Sequence, residues 1–327
     1  MEKKYVLGEV SVKEHSKPLI SVVLGTYNRL AFLRLTVESI RHELAGIPSE
    51  IIVVDGGSRD GTVKWLLKQK DIITIVQHNH GSWKEKEVER RSWGYFMNLG
   101  FKCAQGTYVC MFNDDCLVVP GALKNGCDLF RREEAAGKKV GAVAFYCRDL
   151  PEQRTYSVTK TAGTVDINNG LFLRKALEEI GYIDEEAFMF YYADRDVVLR
   201  LREKGYCTID SPDSYIEHYF HAALEVRASN QRTAQEDWES FVSRWGDVIS
   251  LNKKGGFDCC IEREHVDAYA TADKFKPLHA RNIRYAMRKA LRSCFEKLYG
   301  SAVIRKISDW SPSLKSLRRR ISNKMVQ

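Results

Sequence analysis

Three short polar clusters each follow a run of apolar, largely β-branched residues. Thr26-Tyr27-Asn28-Arg29 follows Ile20–Leu24, Asp55-Gly56-Gly57-Ser58 follows Ile51–Val54, and Asn113-Asp114-Asp115 follows Tyr108–Phe112. A single Asp-Gly-Gly carries little information, because turns use those residues routinely. Three clusters at strand ends of one sheet would pool hydroxyl, phenol, amide and carboxylate groups along one edge. Thr26, Tyr27 and Asp55 supply the hydrogen-bonding groups and aromatic surface that a base and ribose need. A diphosphate needs a cation, and the adjacent carboxylates at 114 and 115 offer oxygen ligands suited to Mg2+ or Mn2+. The chemistry available to the three clusters together is the binding of a nucleoside diphosphate.

Alternating strands and helices must place these clusters. Ile20–Leu24 reads as a buried strand, after which Leu30, Leu33, Val37, Ile40 and Leu44 recur at helical spacing until Pro48. Ile51–Val54 and Ile72–Val76 predict further strands with a helix over Thr62–Gln69 between them. Trp93–Cys103 predicts a helix, Tyr108–Phe112 a strand, Pro120 opens a helix to about Ala136, and Val140–Phe145 predicts another strand. Such alternation predicts an α/β sheet covered by helices on both faces, with its ligand crevice outside the carboxyl ends of the strands. The second half is less regular. It predicts strand and turn over Gly163–Leu173, helices over Lys175–Ile180 and Asp196–Lys204, strands at Tyr206–Ile209 and Tyr215–Glu217, and a helix near Trp238–Trp245. In Lys84–Arg91 the charges alternate in sign, which marks a solvated face, and Trp93 reads as core. Neither is assigned to a site.

The order of motifs is similar to that of the family 2 glycosyltransferases with the GT-A fold. The resemblance is carried by Leu24-Gly25-Thr26-Tyr27-Asn28-Arg29, Val54-Asp55-Gly56-Gly57-Ser58, Asn98-Leu99-Gly100, Phe112-Asn113-Asp114-Asp115, Asn169-Gly170-Leu171-Phe172, Ile180-Gly181-Tyr182-Ile183-Asp184-Glu185 and Ala193-Asp194-Arg195-Asp196. It covers about residues 19–220 and implies a nucleotide-binding, Rossmann-like mixed sheet flanked by helices. The implied activity is inverting, metal-dependent transfer of a sugar from a nucleoside-diphosphate donor. At the donor it implies Thr26, Tyr27, Arg29 and Asp55, with Asp55 accepting from the ring NH of a uracil or thymine. Asn113 and Asp114 would lie against ribose and phosphate, and Asp115 with His218 would hold Mn2+ or Mg2+. Asn113 stands where the family more often has Asp, so the metal would lean on Asp115, the donor diphosphate and His218, with His221 a rival for the last role. Asp194 falls at the position of the general base, although Ala193 replaces the usual preceding Glu, and Asp196 is suited to cap the helix that follows. Asn169, Gly170, Tyr191 and Tyr192 are implied at the acceptor. Two alternatives stand beside this reading. A same-fold nucleotidyltransferase would carry a glycine- and Arg-Lys-containing phosphate loop after the first strand, which Thr26–Arg29 does not resemble. A non-catalytic sugar- or partner-binding module would not need Asp55, Asp115 and Asp194 together.

Composition bounds the rest. With 327 residues, 44% hydrophobic and 29% charged, the chain is neither disordered nor a small disulfide scaffold. No charge-free stretch approaches the roughly 18 residues of a spanning helix, and Met1–Ile20 lacks the apolar core of a signal peptide, which predicts a cytoplasmic protein. The nine cysteines include no Cys-x-x-Cys pair and read as free thiols. From Lys274 onward the chain carries 15 Lys or Arg and two acids, a net +13, leaving −5 on residues 1–273. Over 281–299, Ile283, Met287, Ala290, Cys294 and Leu298 share one helical face opposite Arg281, Arg288, Lys289 and Arg292. That basic amphipathic pattern predicts binding to an anionic membrane surface rather than nucleic acid, or packing of the apolar face on the catalytic body. The expected organisation is an extension over 1–18, a catalytic domain over 19–250 with a donor half to about 145 and an acceptor half from about 146, and a linker with a basic tail over 251–327. The expected acceptor is a glycan or a polyprenyl-diphosphate-linked sugar in bacterial surface-polysaccharide synthesis.

Overall fold

The computed structural model describes residues 17–79, 82–83, 85–150, 152–219, 230–249, 257–265, 274 and 278. The expected N-terminal extension up to residue 16, His221, the break at 253–256 and the tail helix over 281–299 lie outside the described residues.

One mixed sheet of eleven described strands organises the chain, and its main path runs β10-β9-β8-β11-β6-β1-β2-β3. Strands β1 (Ile20–Thr26), β2 (Ser49–Asp55), β3 (Ile72–Val76) and β6 (Tyr108–Asn113) are parallel neighbours. Their residues alternate between two cores: Val22, Leu24, Ile51 and Val53 bury on one face, Val23, Ile52, Val109 and Met111 on the other. A strand buried on both faces reads as a continuous apolar run, which is how these segments stand in the sequence. Helices α1 (Leu30–Glu43) and α4 (Ala122–Ala135) cover the first face. Helices α3 (Trp93–Cys103), α5 (Arg174–Glu179), α6 (Ala193–Glu203) and α7 (Ala234–Trp245) cover the second. The short α2 (Thr62–Leu66) joins β2 to β3, and a two-stranded ribbon, β4 (Ser82–Trp83) with β5 (Lys86–Glu87), precedes α3.

The second half combines antiparallel and parallel pairings. Strand β11 (Gly170–Leu173) pairs antiparallel with β6 on one side and β8 (Val140–Leu150) on the other. The two strands expected at 206–209 and 215–217 are a single strand, β12 (Cys207–Tyr219), which runs parallel to β8 and is interrupted by a register shift between Ser211 and Tyr215. Pro212 lies inside that irregularity, where its missing N–H costs no ladder bond. The end of β12 also pairs with β7 (Cys116–Val118), directly after the Asn-Asp-Asp cluster.

Sheet pairing continues past residue 250, where the catalytic domain was expected to end. Strand β13 (Cys259–Arg263) pairs antiparallel with β9 (Tyr156–Thr161), which itself carries the two-residue β10 (Thr164–Val165), and the compact unit extends to Lys274. Neither β9 nor β13 shows a long apolar run, and each is held by pairing rather than by an evident hydrophobic signature.

Candidate functional site

Register places the three polar clusters side by side. Thr26 stands opposite Asp55 and Gly25 opposite Asn113 at the carboxyl ends of parallel strands, so the clusters share one sheet edge. A cavity of about 150 Å3 opens there, walled by Tyr27, Gly56, Arg90, Arg91, Trp93 and Asn113 among others. Asp55 is fully buried beside it. Its Oδ1 accepts from the backbone N–H groups of Gly57 (2.8 Å) and Ser58 (2.7 Å), while Oδ2 is buried with no hydrogen-bond partner among the described residues. Gly57 makes that turn at φ +88°, and a Cβ there would stand 2.4 Å from His78 Nδ1. The Thr26 hydroxyl, expected on the base, instead donates to Asp114 Oδ2 at 2.7 Å.

The acidic cluster is bound to the start of α1 by Arg29. One guanidinium nitrogen lies 2.7 Å from Asp114 Oδ1 and 2.8 Å from Asp115 Oδ2. Burial works against the charge on Arg29, but Asp114 and Asp115 outweigh it and hold the pKa above its ordinary value. Asp114 is pushed up by burial against the pull of Arg29, and with Thr26 and Arg29 on its two oxygens it anchors β1 to β6 rather than facing ligand alone. Asp115 is raised by burial less than Arg29 and His218 lower it, so its carboxylate stays ionised. Its buried Oδ1 lies 3.3 Å from His218 Nε2 and has no other partner among the described residues, and the other ring nitrogen, Nδ1, lies 2.7 Å from Asp149 Oδ1. A carboxylate oxygen and an imidazole nitrogen facing each other, with the far side of the ring held by a second carboxylate, is the donor set and supporting contact of a Mn2+ or Mg2+ site. Asp115 and His218 therefore fit the implied metal, and Asp149 orients the ring.

Burial lowers the His218 pKa, but Asp115 and Asp149 outweigh it and raise it to about 10 from 6.5. The stabilisation from that imidazolium is complete below pH 6.5 and is lost as pH rises through about 10. A cation at Nε2 must displace the proton, so Mn2+ affinity is expected to rise by up to about tenfold per pH unit above neutrality. Calorimetric Mn2+ titrations in buffers of different ionisation enthalpy measure the released proton. A pH-independent affinity between pH 6.5 and 8.5 would count against His218 as a ligand.

A second cavity, of about 290 Å3, shares Arg29, Trp93, Asn113, Phe190 and Asn230 with the first and adds Asp115, Asn168, Tyr191, Tyr192, Asp194 and His218. Tyr191, Tyr192 and Asp194 thus meet in this cavity at the start of α6. Burial raises the Asp194 pKa against the effect of Arg195, whose guanidinium lies 3.7 Å from Asp166 and 3.7 Å above the Phe257 ring. Asp196 does not cap α6. It is fully buried and accepts from Arg200 (2.6 Å), Arg244 (2.8 Å) and the Trp245 indole (3.0 Å), locking α6 to α7. The N-cap is Tyr192 in the left-handed region at φ 66°, so Asp196 lies inside the first turn and points into the helix interface.

Asn169 and Gly170 do not line either cavity. Asn169 is buried, with Oδ1 accepting from the Asn113 N–H at 3.3 Å. Gly170 is a close-packing residue, where a Cβ would come within 2.2 Å of the Val143 carbonyl oxygen. It is the preceding Asn168, exposed and unremarked in the sequence, that reaches the cavity.

Other contributors left no local signal. Arg90 and Arg91, set aside for their alternating charges, line the first cavity because the β4–β5 ribbon turns the chain back, and Arg90 donates to Asn230 Oδ1 at 2.7 Å. Trp93, read as core, walls both cavities with Phe190. Buried Asp237 on α7 accepts from three successive backbone N–H groups, those of Met189 (2.6 Å), Phe190 (3.0 Å) and Tyr191 (2.9 Å). Asp237→Ala is expected to free that loop and, because Met189 and Phe190 also line the first cavity, to weaken ligand binding at both cavities by about tenfold, the cost of about 1.4 kcal/mol. Unchanged affinities at both would show that the loop keeps its place without Asp237.

The strand order, the shared edge and the paired cavities define a GT-A fold with a nucleotide-binding edge. Residues 21–181 match the family model described as glycosyl transferase family 2, and through that segment the chain belongs to this family. An uncharacterised glycosyltransferase of Bacillus subtilis, YwdF, is 28% identical over 199 residues, which cover 55% of this chain and 67% of that one. An uncharacterised protein of Sinorhizobium fredii, y4gI, is 25% identical over 63% of this chain, which spans only 25% of its length. A mannosyltransferase of Pyrobaculum calidifontis, solved with GDP-mannose and Mn2+, is 18% identical with a TM-score of 0.46, over 88% of each chain.

Proposed function

We propose that this protein is an inverting, metal-dependent glycosyltransferase that moves a sugar from a UDP- or dTDP-sugar to a glycan or lipid-linked acceptor in bacterial surface-polysaccharide synthesis. The observation that carries the reading is one continuous site in which Asp115 and His218 share a cavity wall with Asp194, next to a second cavity at the nucleotide edge. The Asp55 Oδ2, without a hydrogen-bond partner among the described residues, fits a base with a ring N–H such as uracil or thymine, since a buried carboxylate oxygen without a donor costs free energy that such a group would recover.

In this mechanism the acceptor hydroxyl lies against Tyr191 and Tyr192 and gives its proton to Asp194 as its oxygen bonds to the anomeric carbon. The bond from that carbon to the diphosphate breaks, and its electron pair leaves with the nucleotide. Burial makes Asp194 a stronger base than an exposed carboxylate, which suits proton abstraction near neutral pH. Asp115 and His218 would hold Mn2+ or Mg2+, whose charge when bound stabilises the departing diphosphate. Arg29 keeps Asp114 and Asp115 together so that neither is left as an uncompensated buried charge.

Screening nucleotide-sugars for thermal stabilisation with and without Mn2+ tests the donor reading. Stabilisation by a uridine or thymidine donor only in the presence of metal is expected, and metal-independent or purine-selective stabilisation would overturn it. Among the described residues no helix is long and apolar enough to cross a membrane. We assign membrane attachment to the basic tail, where each Lys or Arg near an anionic surface contributes on the order of 1 kcal/mol. Deleting residues 274–327 is expected to release the protein from anionic vesicles at low salt. A full chain that never co-sediments with them would assign the tail to packing instead.

A further inference from the structure

The side of His218 that faces away from Asp115 carries its own set of donors. Strands β8 and β12 place His218 opposite Asp149 in register, and Cys147 lies two residues before Asp149 and so on the same face of the sheet. The Cys147 sulfur, an Asp149 carboxylate oxygen and a His218 ring nitrogen all lie within 4.8 Å of one another, and all three residues are half-buried, open to solvent on one side. Asn169 Nδ2 lies 3.9 Å from the Cys147 sulfur and holds it in place. Bonds of about 2.0–2.3 Å from one ion to S, N and O ligands need only small side-chain rotations from this arrangement. Mg2+ and Mn2+ favour oxygen ligands, whereas a thiolate beside an imidazole and a carboxylate favours a softer ion such as zinc or cadmium.

We propose that Cys147, Asp149 and His218 form a second divalent-cation site, selective for a thiophilic ion such as Zn2+, whose occupancy prevents His218 from serving the Mn2+ or Mg2+ site. That exclusion rests on the function proposed above, and the cation site itself does not. A neutral imidazole has one lone pair. When Asp149 holds a proton on Nδ1, the lone pair on Nε2 is aimed at the Asp115 side. With zinc on Nδ1 the remaining proton sits on Nε2 and is directed at Asp115, so that nitrogen can no longer ligate. Zinc binding releases the Cys147 thiol proton to the solvent. Zinc would therefore act on the enzyme by taking a ligand from the catalytic ion, without contacting donor or acceptor.

The test uses the full chain with Cys103, Cys259, Cys260 and Cys294 replaced by Ser, so that Cys103, Cys259 and Cys260, which are exposed, and Cys294 in the tail do not report. Titration of this metal-free protein with Cd2+ is expected to give a thiolate-to-metal charge-transfer band saturating at one equivalent. Adding Cys147→Ser is expected to abolish the band and weaken Zn2+ binding about tenfold or more, while Mn2+ binding, followed by the electron paramagnetic resonance of the free ion, stays unchanged. A band that survives Cys147→Ser overturns the site. Zn2+ and Mn2+ bound together without competition overturns the exclusion. Both readouts are independent of turnover, so absence of activity with every donor would refute the glycosyltransferase reading and leave the cation site standing.

Discussion

Asp194→Asn is expected to slow sugar transfer by about 10²–10⁴-fold while the affinity for donor stays within a factor of about two. The substitution keeps the size of the side chain and its acceptance from the Arg195 N–H, seen at 3.0 Å, but removes the ability to take a proton. Asp194 touches the cavity shared with Tyr191 and Tyr192 and not the nucleotide cavity, so only the acceptor step should suffer. Single-turnover transfer and donor titration on the same preparation separate the two. Collapse of donor affinity together with the rate would make Asp194 a structural residue. Asp196 could not take its place, because its carboxylate is fully buried and engaged by Arg200, Arg244 and Trp245.

Asp115→Ala is expected to abolish Mn2+-dependent donor binding and turnover, a loss beyond the about 10–100-fold that removing an outer-shell partner costs. Folding should survive, because Arg29 retains Asp114 and His218 retains Asp149 when Asp115 is removed. The substitution also removes the carboxylate that contributes most to raising the His218 pKa, so that group should titrate below its wild-type value of about 10. Mn2+ titration, the NMR titration of His218 and thermal unfolding in chelator follow the three effects. Wild-type turnover undiminished by excess chelator would sink the metal assignment, and an Asp115→Ala protein that unfolds in chelator would show the pair to be mainly structural.

The donor edge was legible because local patterns report it. Ile20–Leu24, Ile51–Val54 and Tyr108–Phe112 are apolar runs buried on both faces, and each is followed by residues that turns and ligands both use. Asp55 stands at the carboxyl end of β2, with one oxygen spent on its own turn and the other without a hydrogen-bond partner among the described residues. The second cavity was legible only in part. Asn169 and Gly170 sit in a motif, yet a one-residue difference in facing turns Asn169 onto Asn113 and leaves Asn168 at the cavity. Asp196 shares its helix and charge with Asp194, and only the packing of α7 shows which of the two is buried among arginines.

By itself the sequence determined the strand–helix alternation, the three polar strand ends and the family to which they belong, because strand burial, helical periodicity and turn preference act over a few residues. Tertiary structure alone decided which side chains converge. His218 meets Asp115 and Asp149 because β12 crosses beside both β7 and β8, bringing together residues 103 and 69 positions apart. Arg90 and Arg91 reach the nucleotide cavity through a ribbon, and Asp237 pins the loop over 189–191 from a helix more than forty residues away. Such contacts are set by strand order, register and helix packing, which sum weak interactions over the whole chain and leave no signature in any short stretch of it.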